Sequence, residues 1–149
     1  MPKASIKRLI ECKKKDLIEL VLDIEKYPDF IPFCHAAKIH EKKDDNDFIK
    51  IIADLTIGKG PFKDTYKSDV LFNKNEGSII VKNIEGPLNH LSNHWSFKEN
   101  KSITEVTFDI DFEIKNKFLN TMMTASFQFG MEKIADAFQR RAEELFGNS

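Results

Sequence analysis

A proline-free segment over residues 117–146 limits the fold of this chain more than any other feature. Its apolar side chains recur at spacings of three, four and seven residues, the periodicity of one helical face. The stripe consists of Met123, Phe127, Met131, Ile134, Phe138 and Leu145. A helix of this length extends about 45 Å and is expected to stop at Gly147. Because one broad apolar face must be covered, the helix needs a wide partner, and a curved β-sheet provides one.

The region before this helix alternates with period two, as antiparallel strands with one solvated face do. The clearest strand is residues 105–114, whose apolar positions are Val106, Phe108, Ile110, Phe112 and Ile114. Other strands are predicted near residues 5–11, 34–42, 47–58, 63–73, 78–84 and 90–99. Residues 14–26 have a helical period that is expected to end at Pro28, before one short helical turn. The order predicts an α+β fold in which about seven antiparallel strands curve around the long helix.

Length and charge restrict the class of protein further. The chain has 149 residues, which fits a single domain over 1–149. Its net charge of −1 argues against a general polyanion binder, so no DNA partner is expected. Cys12 and Cys34 are the only cysteines and are expected to be reduced, and no apolar run is long enough to span a membrane. A cytoplasmic protein, peripheral at most to the inner membrane of a bacterium, is therefore expected.

The aromatic composition is unusual, with 13 Phe against 2 Tyr and 1 Trp. Codon bias explains part of this excess, because Lys, Ile and Asn are also frequent. The other interpretation is an interior that uses aromatic area without hydroxyl groups. Many of the Phe side chains fall on predicted apolar faces, which favours one continuous interior that is part core and part cavity.

Four motifs, between about residues 7 and 142, give the sequence a specific resemblance. Residues 23–34 read DIEKYPDFIPFC, residues 86–97 read GPLNHLSNHWSF, residues 111–113 read DFE and residues 137–142 read AFQRRA. In this order they resemble the coenzyme Q-binding, polyketide cyclase/dehydrase-like family of the START superfamily, which includes the bacterial ribosome association toxin. Phe33 stands where Trp is usual and Leu88 where Phe is usual, which puts the shape of the pocket in doubt rather than the fold. Lys13 replaces the usual Ser and removes a helix-capping hydroxyl.

The resemblance implies a helix-grip fold with a ligand cavity between the sheet and the long helix. Tyr27 to Cys34 is either a rigid connector or a lid, and Phe30 and Phe33 on such a lid are expected to touch membranes. Trp95 and the methionine stripe are either core or cavity wall. Asn93 shares the strand face of Trp95, where an amide needs a polar partner. The expected ligand-binding residues are Tyr27, Phe30, Pro32, Phe33, Phe62, Leu88, Asn93, Trp95, Phe97, Phe112, Met123, Phe127 and Met131.

The resemblance is compatible with three functions; the first is expected, the second and third are its alternatives, and the protein is not expected to be an enzyme. The first is non-catalytic binding of a polyprenyl quinone such as ubiquinone, as a carrier or chaperone for respiratory electron transport. The second is a partner of the large ribosomal subunit that blocks subunit association. The third is a cyclase or dehydrase, for which only Tyr27, Tyr66 and Asn93 are candidate groups. No cofactor is expected. No metal site is expected either, because His90 and His94 lie about 13 Å apart on a strand, too far to share a zinc ion.

Overall fold

Seven strands form one antiparallel sheet in the computed structural model, which describes residues 3–58, 63–86 and 88–146, without the side chains of residues 85, 119 and 122–126. The strands are β1 (Lys3–Ile10), β2 (Cys34–Asp44), β3 (Phe48–Ile57), β4 (Asp64–Asn73), β5 (Ser78–Glu85), β6 (Leu88–Asn100) and β7 (Ile103–Ile114). The helices are α1 (Lys14–Leu22), a 3₁₀ helix (Ile24–Asp29) and α2 (Lys117–Phe146). The predicted α+β fold, with seven antiparallel strands and a long C-terminal helix, is confirmed.

The strand order is β1-β7-β6-β5-β4-β3-β2, so the two edge strands are β1 and β2. The two short helices connect these edges, and the chain then returns strand by strand until β7 pairs with β1. Register shifts occur between β2 and β3, between β4 and β5, and between β6 and β7. Such bulges increase the bend and twist of a sheet, which lets it curve around α2.

The inner face of the sheet carries the apolar residues that the alternation predicts. Ile51, Ile79, Val106 and Phe108 are buried, whereas Asp109 on the opposite face is exposed. α1 covers one end of this interior with Leu17, Ile18, Leu20 and Val21. Its first turn has no side-chain cap from Lys13, as expected, but the amide of Lys14 donates a hydrogen bond to Glu99 at 2.9 Å.

One boundary prediction and one burial prediction were wrong. The first helix ends at Leu22 rather than at Pro28, and Pro28 lies inside the 3₁₀ helix that follows. Pro28 is the fifth of the six residues of this helix, so its missing amide proton removes at most one hydrogen bond near the end of the helix. Leu145 is 51% exposed although it belongs to the predicted stripe, and Ala142 is fully buried instead. The predicted stop at Gly147 lies outside the described residues.

Candidate functional site

An aromatic cluster fills the space between the sheet and the second half of α2. The ring of Trp95 on β6 lies 4.4 Å from the ring of Phe108 on β7 and 5.2 Å from that of Phe138 on α2, measured between centroids. Phe138 also contacts Tyr27 at 5.5 Å and Phe30 at 5.3 Å, both edge to face. The edge-to-face arrangement is the favourable one for aromatic pairs. Sheet, α2 and the 3₁₀ helix therefore meet at one packed aromatic centre.

Tyr27 is an anchor within this cluster. Its hydroxyl donates a hydrogen bond to the carbonyl oxygen of Val21, which fastens the 3₁₀ helix to the end of α1. Burial raises the pKa of Tyr27 well above its usual range, with smaller contributions from Cys34 and Asp23. The phenol thus remains protonated and engaged with the backbone at neutral pH, so it is a poor candidate for acid–base chemistry.

A second apolar cluster packs against the first half of α2. Its buried members are Ala4, Leu88, Phe112 and Phe127. The rings of Phe112 and Phe127 are 4.7 Å apart, joining β7 directly to α2. Met131 and Ile110 pack against both this cluster and the Trp95 cluster. The apolar interior is therefore continuous along the helix, and several predicted site residues from different strands line it together.

Asn93 places an amide in the middle of this apolar face. It lies beside Val81 of β5 and Ile110 of β7 in the sheet register. Its Oδ1 atom is buried and has no hydrogen-bond partner in the structure. A buried acceptor without a partner costs about 1–3 kcal/mol, so such atoms are uncommon in folded proteins. Asn93 is therefore the polar group best placed to meet a polar atom of a bound molecule.

A neighbouring amide, Asn83 on β5, has a hydrogen-bond partner at both its nitrogen and its oxygen atom. Its Nδ2 atom donates to the carbonyl oxygen of Leu88 at 3.4 Å, and its Oδ1 atom accepts from the amide of Leu91 at 3.0 Å. Asn83 therefore supports the register shift at the start of β6. The contrast isolates Asn93 as the unsatisfied amide of the pair.

The enclosed space beside Trp95 is small. A cavity of about 30 Å³ lies between α1, the sheet and α2, with Phe97, Phe108, Ile134 and Phe138 among its walls. That volume holds about one water molecule. A larger ligand at this position beside Trp95 therefore requires α2 or the side chains beneath it to move away from the sheet.

The segment from Phe30 to Phe33 is only partly what the sequence predicts. Phe30 is half-buried against Tyr27 and Phe138, with the Arg141 guanidinium 5.5 Å from its ring centroid, so an exposed Phe30 on a lid is a wrong prediction. Pro32 is half-buried, and Phe33 is 37% exposed with a φ of 69°. The amide of Gly58 donates to the Phe33 carbonyl oxygen at 2.9 Å, which ties the segment to the end of β3.

The structure therefore brings most of the predicted residues to one interior. Trp95 and Phe97 belong to the first cluster, Leu88, Phe112 and Phe127 to the second, and Met131 and Asn93 lie between them. Phe62 and the side chain of Met123 lie outside the described residues. Phe108, Phe138 and Asn83 were not among the predicted site residues. The sequence signal for Phe108 is its apolar position in the strand 105–114, and that for Phe138 is its place in the helical stripe. Asn83 shares one strand face with Val81 and Ile79.

The thiols offer no reactive centre. Burial raises the pKa of both Cys12 and Cys34 above the ordinary value. Over residues 3–58, 63–86 and 88–146, no group of three or more His, Cys, Asp or Glu side chains is arranged to hold a metal ion. In the same part of the chain, no helix is both long and apolar enough to cross a membrane.

The fold is shared with proteins of known structure. A START superfamily protein from Mycobacterium smegmatis superposes with a TM-score of 0.80 over 96% of this chain and 98% of that one, at 18% identity. The family model described as polyketide cyclase / dehydrase and lipid transport matches residues 13–139, and the chain belongs to this family. The resemblance indicated by the sequence motifs is thereby confirmed.

Two curated relatives carry different names. The ribosome association toxin RatA of Rickettsia prowazekii is 30% identical over 141 residues, covering 93% of this chain and 94% of the relative. The mitochondrial coenzyme Q-binding protein COQ10 of Dictyostelium discoideum is 29% identical over 133 residues, covering 87% of this chain and 63% of the relative. One relative is thus named for binding coenzyme Q and the other for associating with ribosomes.

Proposed function

We propose that this protein binds a polyprenyl quinone between its sheet and α2, as a non-catalytic carrier. The observation that carries the proposal is the unpartnered Asn93 amide oxygen within a continuous apolar interior. Ligand sites are mostly apolar with a few polar groups that fix the orientation. A quinone matches this pattern, because it has a small polar ring and a long hydrocarbon chain. Its reduced form, the quinol, carries hydroxyl groups that can donate to Oδ1 of Asn93.

The energetics of the tail support binding of a lipid rather than of a polar metabolite. Burying one methylene group contributes about 0.8 kcal/mol. A few five-carbon units therefore offset the cost of association and still leave micromolar affinity. Part of this favourable binding free energy is needed to separate α2 from the sheet, because the cavity beside Trp95 has a volume of only about 30 Å³. Phe127 and Met131 lie on the inward side of α2, at the positions where such a separation exposes apolar surface.

Mass spectrometry of co-purified lipid tests this function. The protein is purified from quinone-containing bacterial membranes, extracted with organic solvent, and its quinone content is compared with that of an Asn93→Leu variant. We expect quinone to be enriched over bulk phospholipid in the wild type and reduced severalfold in the variant. Equal quinone content in the wild type, the variant and an unrelated protein purified in parallel would contradict the proposal.

A second function is favoured by the relative quoted at 30% identity, which is named a ribosome association toxin. Under this alternative the chain binds the large ribosomal subunit and prevents subunit joining. Sucrose-gradient profiles after overexpression distinguish the two functions. Accumulation of free subunits at the expense of monosomes would support the ribosomal role, and unchanged profiles would eliminate it. The net charge of −1 favours the lipid function, because ribosomal RNA is a dense polyanion.

A further inference from the structure

Three buried side-chain oxygens have no hydrogen-bond partner in the described part of the chain: Oδ1 of Asp69, of Asn93 and of Asp111. The two carboxylates alternate with the buried residues Val70 and Phe112, so they lie on the outer face of the sheet. The second carboxylate oxygen lies 4.0 Å from a lysine Nζ in Asp69 and 3.9 Å from one in Asp111. Of the three, Asn93 is therefore the neutral acceptor on the inner face, with no cation beside it.

No described side chain donates a hydrogen bond to Oδ1 of Asn93. Its two neighbours in the sheet register are apolar. The Nδ2 atom of Asn83 donates to the Leu88 carbonyl oxygen instead, at 3.4 Å. The hydroxyl groups of Tyr66 and Ser68 belong to β4, two strands from β6 and thus about 10 Å away across the sheet. A bound molecule is therefore the available source of a donor to this oxygen.

An acceptor without a partner distinguishes between the two redox forms of a quinone. A quinone has two carbonyl oxygens, which accept hydrogen bonds but cannot donate them, whereas a quinol has two phenolic hydroxyl groups that donate. Opposite Oδ1 of Asn93, a carbonyl brings two acceptors together with no proton between them and leaves both unsatisfied. The Nδ2 atom of Asn93 is not among the buried atoms without a partner, so a carbonyl that accepts from it satisfies no orphaned group.

We propose that the interior selects a head group that donates a hydrogen bond, so that the protein holds the quinol in preference to the quinone. The inference rests on the proposed function, because both place the head group at Asn93. A site that bonds a ligand hydroxyl discriminates against the analogue without one, since its own polar group is then left buried and unpaired. Two-electron reduction of the quinone is accordingly the class of reaction that supplies this ligand, and oxidation of the quinol is the class that consumes it.

Anaerobic calorimetric titration with a short-chain ubiquinone and with its chemically reduced quinol measures this preference directly. We expect the wild type to bind the quinol about three- to tenfold more tightly, the net effect of one hydrogen bond. This comparison uses the unaltered protein, so it does not depend on the folding of a variant. In Asn93→Leu the quinol should lose its advantage, while the affinity for the quinone should stay the same.

His94→Leu is the matched control on the same strand. His94 follows Asn93 on β6, but it is exposed and its neighbour Trp95 is buried, so it lies on the outer face. Its replacement removes a polar side chain next to Asn93 and should leave the preference for the quinol intact.

A second pair of probes, para-octylphenol and its methyl ether, tests the donor requirement without any quinone. The phenol donates a hydrogen bond and the ether does not. We expect the wild type to bind the phenol about three- to tenfold more tightly than the ether, and Asn93→Leu to bind both alike.

The outcomes separate this inference from the proposed function. Equal affinity of the wild type for quinol and quinone, or tighter binding of the quinone, would overturn the inference and leave quinone binding in place. A preference for the quinol that persists in Asn93→Leu would also overturn it, because another group would then provide the selectivity. If neither redox form binds, a preference for the phenol that Asn93→Leu removes would support the donor selectivity and reject the quinone as the ligand. Equal or absent binding of the phenol and the ether would then overturn both.

Discussion

Replacing Asn93 by leucine should make the protein more stable and a poorer binder at the same time. The side chain keeps its approximate size, while the buried Oδ1 atom without a partner disappears. An unsatisfied buried acceptor costs about 1–3 kcal/mol, and the half-buried position of Asn93 places its cost in the lower part of that range. We therefore expect the free energy of unfolding to rise by about 1–2 kcal/mol. For a chain of this length the melting temperature then rises by about 2–6 °C.

The matched control is Asn83→Leu on the neighbouring strand. Its amide bonds both the Leu88 carbonyl oxygen and the Leu91 amide, and leucine leaves both of these backbone groups without a partner. The same substitution should therefore lower the free energy of unfolding by about 2 kcal/mol. Urea denaturation followed by circular dichroism measures both variants, and an unchanged m-value shows that the compactness of the end states is conserved.

Binding provides the second measurement on Asn93→Leu. Loss of one hydrogen bond to the ligand should weaken quinol binding about three- to tenfold. A destabilised Asn93→Leu would refute the reasoning, because it would mean that the amide is satisfied and structural. A stabilised variant with full affinity would show that Asn93 does not contact the ligand and that the apolar interior alone binds it.

Three further predictions concern the groups around this interior. Tyr27→Phe removes the hydrogen bond to Val21 and should cost about 1 kcal/mol at neutral pH. Because the pKa of Tyr27 is raised on folding, its contribution to stability is present below a pH of about 10 and is lost above it. The free energy of unfolding, measured by urea titration, should therefore fall less at alkaline pH for Tyr27→Phe than for the wild type. Cys12 and Cys34 are buried with raised pKa values, so a colourimetric thiol reagent should label both only as fast as the protein unfolds; rapid native labelling would contradict their burial. Phe33→Gly relieves a left-handed residue and should raise the free energy of unfolding by up to about 1 kcal/mol, whereas a loss of stability would mean that the ring packs more than its exposure indicates.

Periodicity predicted the elements well because each period has a direct structural cause. The alternation of residues 105–114 appears as β7, and the stripe on residues 117–146 appears as α2 with the same bounds. The break between Leu22 and Ile24 was missed, because a 3₁₀ helix holds Pro28 without a change in the apolar pattern. The burial of Leu145 was predicted wrongly, because in this last turn of α2 the residues that face the core are Ala142 and Phe146.

The candidate site was predictable in kind but not in detail. Strand alternation alone places Asn93 on the face of Trp95, and the structure adds that its oxygen has no partner. The inward packing of Phe30 depends on Phe138, which lies more than 100 residues away along the chain. The small cavity depends on how α1, the sheet and α2 approach one another, and no local pattern encodes that distance.

The most direct test of an interior that binds a quinone is the fluorescence of Trp95 during titration with a short-chain ubiquinone. Trp95 is the only tryptophan, and it is buried in the aromatic cluster between the sheet and α2. A quinone ring quenches indole emission at short range, so binding can be measured from the fluorescence of Trp95 without a label. We expect saturable quenching with a micromolar Kd. Quenching that rises linearly, without saturation and equally for free N-acetyltryptophanamide, would contradict it.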